Sequence, residues 1–149
     1  MEFICKTEQD TIILGQKIAD FALKGDVFAL YGTLGMGKTV FCRAFIQKLT
    51  NAKEVPSPTF TLLQTYSSQN FEIYHFDLYR LKSPEEIFEI GMEEAMYDGV
   101  SLIEWPEKMG NYIPKKAFIV KILSYEQGRK ITIESNDSQK QKRLQSFEI

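Results

Sequence analysis

The chain has 149 residues, 44% apolar and 26% charged, with 18 Lys and Arg against 20 Asp and Glu for a formal charge of −2. These values suit one folded domain with its own core and exclude a disordered chain, and the near-neutral balance excludes a generic nucleic-acid binder needing a basic surplus. Two cysteines (Cys5, Cys42) and one histidine (His75) are too few for a disulfide framework, a zinc knuckle or a His-rich metal cage.

No apolar run approaches the ~18–20 residues of a membrane span. The start, MEFICKTEQD, lacks the charged onset and apolar stretch of a secretory signal. The expectation is a single cytoplasmic domain over 1–149, with no membrane contact.

In chain order, Glu2–Cys5 reads as a short strand and Thr7 as the cap of a helix, with Asp10 completing a shortened capping box. Leu14, Ile18 and Phe21 form that helix's core stripe, and Gly25 is its expected stop. Val27–Tyr31 is a mostly apolar run of the kind buried on both sheet faces. A Gly-rich loop follows, then a helix from about Lys38 to Leu49 with Phe41, Phe45 and Leu49 on its core face and Cys42 as packing. Asn51–Pro58 is irregular because of Pro56 and Pro58. Thr59–Tyr66 and Phe71–Leu78 read as one antiparallel hairpin. Ser83-Pro84-Glu85-Glu86 opens a helix that Gly91 ends. Val100–Glu104 is a second buried-type strand. Phe118–Tyr125 and Lys130–Glu134 make a second hairpin around Glu126-Gln127-Gly128-Arg129. Residues 135–149 are polar and read as a frayed helix or loose tail, with Lys140, Lys142 and Arg143 a solvated charge run. The expected class is α/β: a mostly parallel sheet flanked by helices, with antiparallel hairpin additions.

The strongest local signal is Gly32-Thr33-Leu34-Gly35-Met36-Gly37-Lys38-Thr39, a full match to G-x-x-x-x-G-K-[ST] between a strand and a helix. A chain of this size shows the pattern by accident roughly 0.5% of the time. Glycines let the backbone curl so that successive N–H groups face a phosphate, and the next helix presents its positive end to the same anion. The expected nucleotide contacts therefore run from Gly32 through Thr39 to Val40, with Lys38 on the β- and γ-phosphates and the Thr39 hydroxyl on Mg²⁺.

Such a site needs an acidic residue at a strand end. Asp77 and Glu104 both qualify, although either alone reads equally as a capping or surface carboxylate. Alternation places Ile73, His75 and Asp77 on one face. Ser57, Thr59 and Thr61 lie where a γ-phosphate-sensing loop or a water-facing hairpin entry would sit. Trp105 reads as a core anchor in preference to an aromatic lid, and His75 as a hydrogen-bonded strand residue in preference to a general base. N-K-x-D and D-x-x-G are absent, which favours ATP over GTP. The four arginines, Arg43, Arg80, Arg129 and Arg143, are scattered, unlike the lid of a small-metabolite kinase, which stays the alternative.

Together with the phosphate loop, Val55-Pro56-Ser57-Pro58-Thr59-Phe60-Thr61-Leu62, His75-Phe76-Asp77-Leu78-Tyr79-Arg80 and Ile103-Glu104-Trp105-Pro106-Glu107 resemble the bacterial TsaE (YjeE) family, over about 7–134. The resemblance implies a small ATPase needed for threonylcarbamoyl modification of the tRNA adenosine next to the anticodon. It would act on a complex of TsaD and TsaB and reach tRNA through them. By position it implies phosphate binding by Lys38, Mg²⁺ binding by Thr39 and Asp77, and Glu104 in the metal site, positioning or activating water. Thr59 would stand in a switch-like loop and Trp105 beside the nucleotide. The family loop usually reads G-D-L-G-A-G-K-T; here Thr33 replaces the Asp and Met36 the Ala. The cradle should survive both changes, while any catalytic part played by that carboxylate is lost.

Overall fold

The structure is a computed structural model describing residues 1–147. Its strands are β1 (Glu2–Cys5), β2 (Val27–Tyr31), β3 (Leu63–Ser67), β4 (Glu72–Asp77), β5 (Val100–Glu104), β6 (Phe118–Tyr125) and β7 (Gly128–Ser135). The helices are α1 (Glu8–Phe21), α2 (Lys38–Leu49), α3 (Glu86–Glu89), α4 (Met92–Asp98) and α5 (Ser138–Ser146), with a 3-10 stretch over Pro106–Tyr112.

The apolar runs of β2 and β5 can lose water on both faces only in the middle of a sheet, and that is where they lie. The seven strands run β1-β7-β6-β2-β5-β4-β3. The four central strands, β6, β2, β5 and β4, are parallel, while the β3–β4 and β6–β7 hairpins and the β1–β7 pair are antiparallel. The expected mostly parallel α/β sheet with hairpin additions is therefore present. Alternation along each strand divides the core. Phe28, Leu30, Leu102, Val120 and Ile122 pack with Leu14 and Ile18 of α1, Phe41 and Phe45 of α2, and Leu144 of α5. Val27, Phe76 and Ile103 pack on the other face with Ile87, Met92 and Met109. Among the described residues, no helix is long and apolar enough to cross a membrane.

β1, β2, α2, β5 and β6 fall where the sequence places them, and Thr7 and Asp10 form the expected reciprocal capping box on α1. Several boundaries differ. α1 ends at Phe21, capped by Ala22, and Gly25 belongs to the turn beyond. β3 begins only at Leu63, because Thr59–Leu62 turn through a left-handed Leu62. The segment after Ser83 is two short helices with left-handed Gly91 between them. Glu86 still reaches back to the Ser83 N–H at 3.0 Å, half of the anticipated capping box. β7 is longer than expected at both ends.

The loose tail over 135–149 requires correction. Ser135 closes β7, Asp137 caps α5 by accepting from the Lys140 N–H at 3.1 Å, and Leu144 is fully buried. Lys140 and Arg143 are not a solvated run. Both bind Asp26, which is only 1% exposed at the foot of β2, with Lys140 Nζ 2.8 Å from Oδ1. A buried carboxylate needs this kind of compensation, and it draws the polar helix onto the sheet. Residues 148–149 lie outside the described residues.

Candidate functional site

In parallel strands the carboxyl ends point the same way, so the register of β2, β5 and β4 fixes what meets there. Leu30 pairs with Glu104 and Glu104 with Asp77, which sets both carboxylates beside the loop that leaves β2 at Tyr31. The loop enters α2 through Gly37, whose φ of 102° and ψ of 15° suit glycine. A Cβ on Gly37 would meet nothing within 4 Å. The expected cost of Gly37→Ala is therefore backbone strain alone, about 1–2 kcal/mol, read as a lowered thermal midpoint with the purified protein still folded. Gly32 is constrained differently: a Cβ there would come within 2.9 Å of the Ile122 carbonyl on β6.

Lys38 is 4% exposed; its Nζ donates to the Gly32 carbonyl at 2.5 Å and lies 3.3 Å from the centre of the Trp105 ring. Burial pulls its ammonium below the usual lysine range, against the opposing effects of Glu104, Glu107 and Asp77. Thr39 Oγ1 donates to Glu104 Oε1 at 2.9 Å, and His75 Nε2 lies 2.6 Å from Glu104 Oε2. Asp77 Oδ2 accepts from Ser57 Oγ at 3.1 Å and Thr59 Oγ1 at 3.0 Å, while its Oδ1 accepts from the Tyr79 N–H at 3.0 Å. Trp105 stands in a left-handed conformation, φ 58°, beside Tyr79 with ring centres 5.0 Å apart. Such strain in a bulky residue persists where surrounding packing enforces it.

Leu34 to Val40, Thr59, Asp77, Glu104 and Trp105 all line one cavity of about 460 Å³, a volume suited to a small-molecule ligand. Gly32 and Thr33 shape the loop without lining the cavity. Trp105 combines both readings offered for it, packing on the core beneath while facing the cavity. Thr39, Glu104 and Asp77 offer only oxygen, the donor chemistry that suits a hard cation such as Mg²⁺. Sequence reasoning missed the opposite wall, built from the β1–α1 junction and Arg129. Arg129 Nε donates to the Met36 carbonyl at 3.2 Å and steadies the loop from β7. Nothing local marks it, since only strand order brings β7 there.

A mostly parallel sheet with a glycine-rich loop between its central strand and α2, a buried lysine opening α2 and two strand-end carboxylates beside it defines a protein of the P-loop NTPase-like α/β class. Within that class, the family model described as "Threonylcarbamoyl adenosine biosynthesis protein TsaE" matches residues 5–139, and the chain belongs to the TsaE family. A Rickettsia felis relative named tRNA threonylcarbamoyladenosine biosynthesis protein TsaE is 50% identical over 105 residues, covering 70% of this chain and 61% of the relative. A Treponema pallidum relative of the same name is 36% identical over 135 residues, covering 89% of this chain and 99% of its own length. The chain thus spans 61% of the Rickettsia felis relative but nearly all of the Treponema one. The crystal structure of Bacillus subtilis YdiB superposes with a TM-score of 0.82 at 25% identity, covering 99% of this chain and 93% of the other.

Proposed function

We propose that this chain binds Mg·ATP in the cavity and hydrolyses it as a subunit serving threonylcarbamoyl modification of tRNA, acting on a TsaD–TsaB complex. The observation that carries this reading is the convergence of Lys38 and Thr39 at the start of α2, Asp77 at the end of β4 and Glu104 at the end of β5 on one cavity beside the loop. Backbone N–H groups of the loop and the start of α2 would hold the phosphates, with Lys38 Nζ leaving the Gly32 carbonyl to pair with them. Thr39, Asp77 and Glu104 would hold Mg²⁺, which when bound neutralises phosphate charge. Glu104 would orient the attacking water and take its proton on a carboxylate oxygen. Thr59 would report the γ-phosphate from its contact with Asp77, and Trp105 would close the cavity beside the nucleotide.

The relatives' names support the pathway. The −2 net charge supports reaching tRNA through partners and not by an independent basic surface. The test is ATP hydrolysis by the chain alone and with TsaD–TsaB, alongside reconstituted tRNA threonylcarbamoylation with and without the chain. Weak hydrolysis alone, stimulation by the partners and dependence of the modification on this chain are expected. No binding and no stimulation while nucleotide-loaded would refute the assignment, and turnover requiring a small-molecule acceptor would replace it with a kinase.

A further inference from the structure

His75 has no part in the reading above, yet it is the only histidine of the chain and is 0% exposed. It lies on β4 two residues before Asp77, so both side chains leave the same sheet face, and the parallel register sets it beside Leu102, two residues before Glu104. Its Nε2 is 2.6 Å from Glu104 Oε2, and its Nδ1 has no partner. An ionised carboxylate only accepts, so Nε2 is the donor in this contact. Besides Thr39 and Lys38, Cys42 of α2 faces this pair; its Sγ, a histidine ring nitrogen and a Glu104 oxygen all lie within 4.8 Å of one another. Burial pushes the Cys42 thiol well above its usual range, so it meets the pair as a neutral group.

The consequence concerns Glu104. It is 2% exposed, so solvent does little to fix its carboxylate, and the last torsion of a glutamate side chain is broad. Thr39 fixes one oxygen at 2.9 Å and His75 the other at 2.6 Å. We propose that His75 is a positioning residue for Glu104: its Nε2–H donates to Oε2, satisfies a buried anionic oxygen and keeps Oε1 turned towards Thr39 and the cavity. This rests on the hydrolytic reading given above.

Two variants separate positioning from bulk structure. In His75→Gln the side-chain amide can carry an N–H to about the place of Nε2; in His75→Leu no donor remains. With TsaD–TsaB present, His75→Leu is expected to lower kcat on the order of 10- to 100-fold, as befits loss of a charge-assisted hydrogen bond. KM should stay within about threefold, because Glu104 and not the phosphate cradle is disturbed. His75→Gln should recover most of the turnover. The single histidine also permits a direct reading by nitrogen-15 NMR of the imidazole. The expected signature is a proton on Nε2 that is protected from exchange in the wild type and loses that protection in Glu104→Ala.

A His75→Leu protein turning over within threefold of wild type, a glutamine variant no better than leucine, or a ring with no proton on Nε2 overturns the proposal. So does a loss that falls on nucleotide affinity instead of kcat. If the wild type itself shows no partner-stimulated hydrolysis, the functional reading fails first and takes this proposal with it. A normal wild type with an indifferent His75→Leu sinks the positioning role alone.

Discussion

Replacing Lys38 by alanine is expected to lower partner-stimulated ATP hydrolysis on the order of 100- to 1,000-fold, the loss typical of removing one preorganised charge from a transition state. Its Nζ already waits at the mouth of the loop, held by the Gly32 carbonyl and the Trp105 ring, 4% exposed and therefore little screened by water. Alanine leaves the backbone cradle standing, so the protein should remain folded and retain weak nucleotide binding. Arginine should not restore activity, since its planar fork is too large for the place of a compact ammonium. A pH dependence follows with a definite sign. Burial lowers the lysine's pKa in the free protein, whereas a bound phosphate favours the cation and raises it. Nucleotide affinity should accordingly be full below the free-protein pKa and fall as pH rises through it, starting below the usual lysine range. Calorimetric titration across alkaline pH with wild type and Lys38→Ala checks this, and an equal slope in both would remove Lys38 as its source.

Asp26→Ala should destabilise the fold by about 3 kcal/mol, the low end for breaking a buried ion pair because both cations keep part of their surface in water. The carboxylate accepts from the Leu23 N–H at 2.8 Å, from Lys140 at 2.8 Å and from both terminal nitrogens of Arg143. Its loss strands a guanidinium whose Nε already lacks a partner and which lies over Phe21 and Phe118. Urea unfolding should show the lower midpoint, and the thermal midpoint should drop by about 6–12 °C. Arg143→Ala should cost less, because Lys140 still neutralises Asp26. The double variant should fall well short of the sum, since both changes remove one interaction. If Asp26→Ala unfolds within 0.5 kcal/mol of wild type, α5 is not anchored there.

How much of this can be read from sequence depends on the range of the interaction. β2, the loop and α2 are legible because a short apolar run, spaced glycines and a four-residue aromatic repeat are local signals. Asp77 and Glu104 are legible as strand ends, but their adjacency to each other depends on the parallel register of β4 and β5. α5 is misread because its composition is polar, and the residue that orders it, Asp26, is far away in sequence. Arg129 is overlooked for a similar reason: its partners are carbonyls of the loop, which carry no sequence signature. The break at Gly91 shows the opposite limit, a local signal present whose continuation into α4 is not.

The Asp26–Arg143 contact also bears on the order in which the molecule is made. The two residues are 117 positions apart, so β2 emerges from the ribosome long before the helix that neutralises its foot. β6, the parallel neighbour of β2, likewise arrives only with residues 118–125. A nascent chain stopped before residue 138 holds the whole phosphate loop but lacks the cations that allow its strand to be buried. The loop side of the cavity is thus encoded well before Arg129 on its opposite wall and before the cations that compensate Asp26.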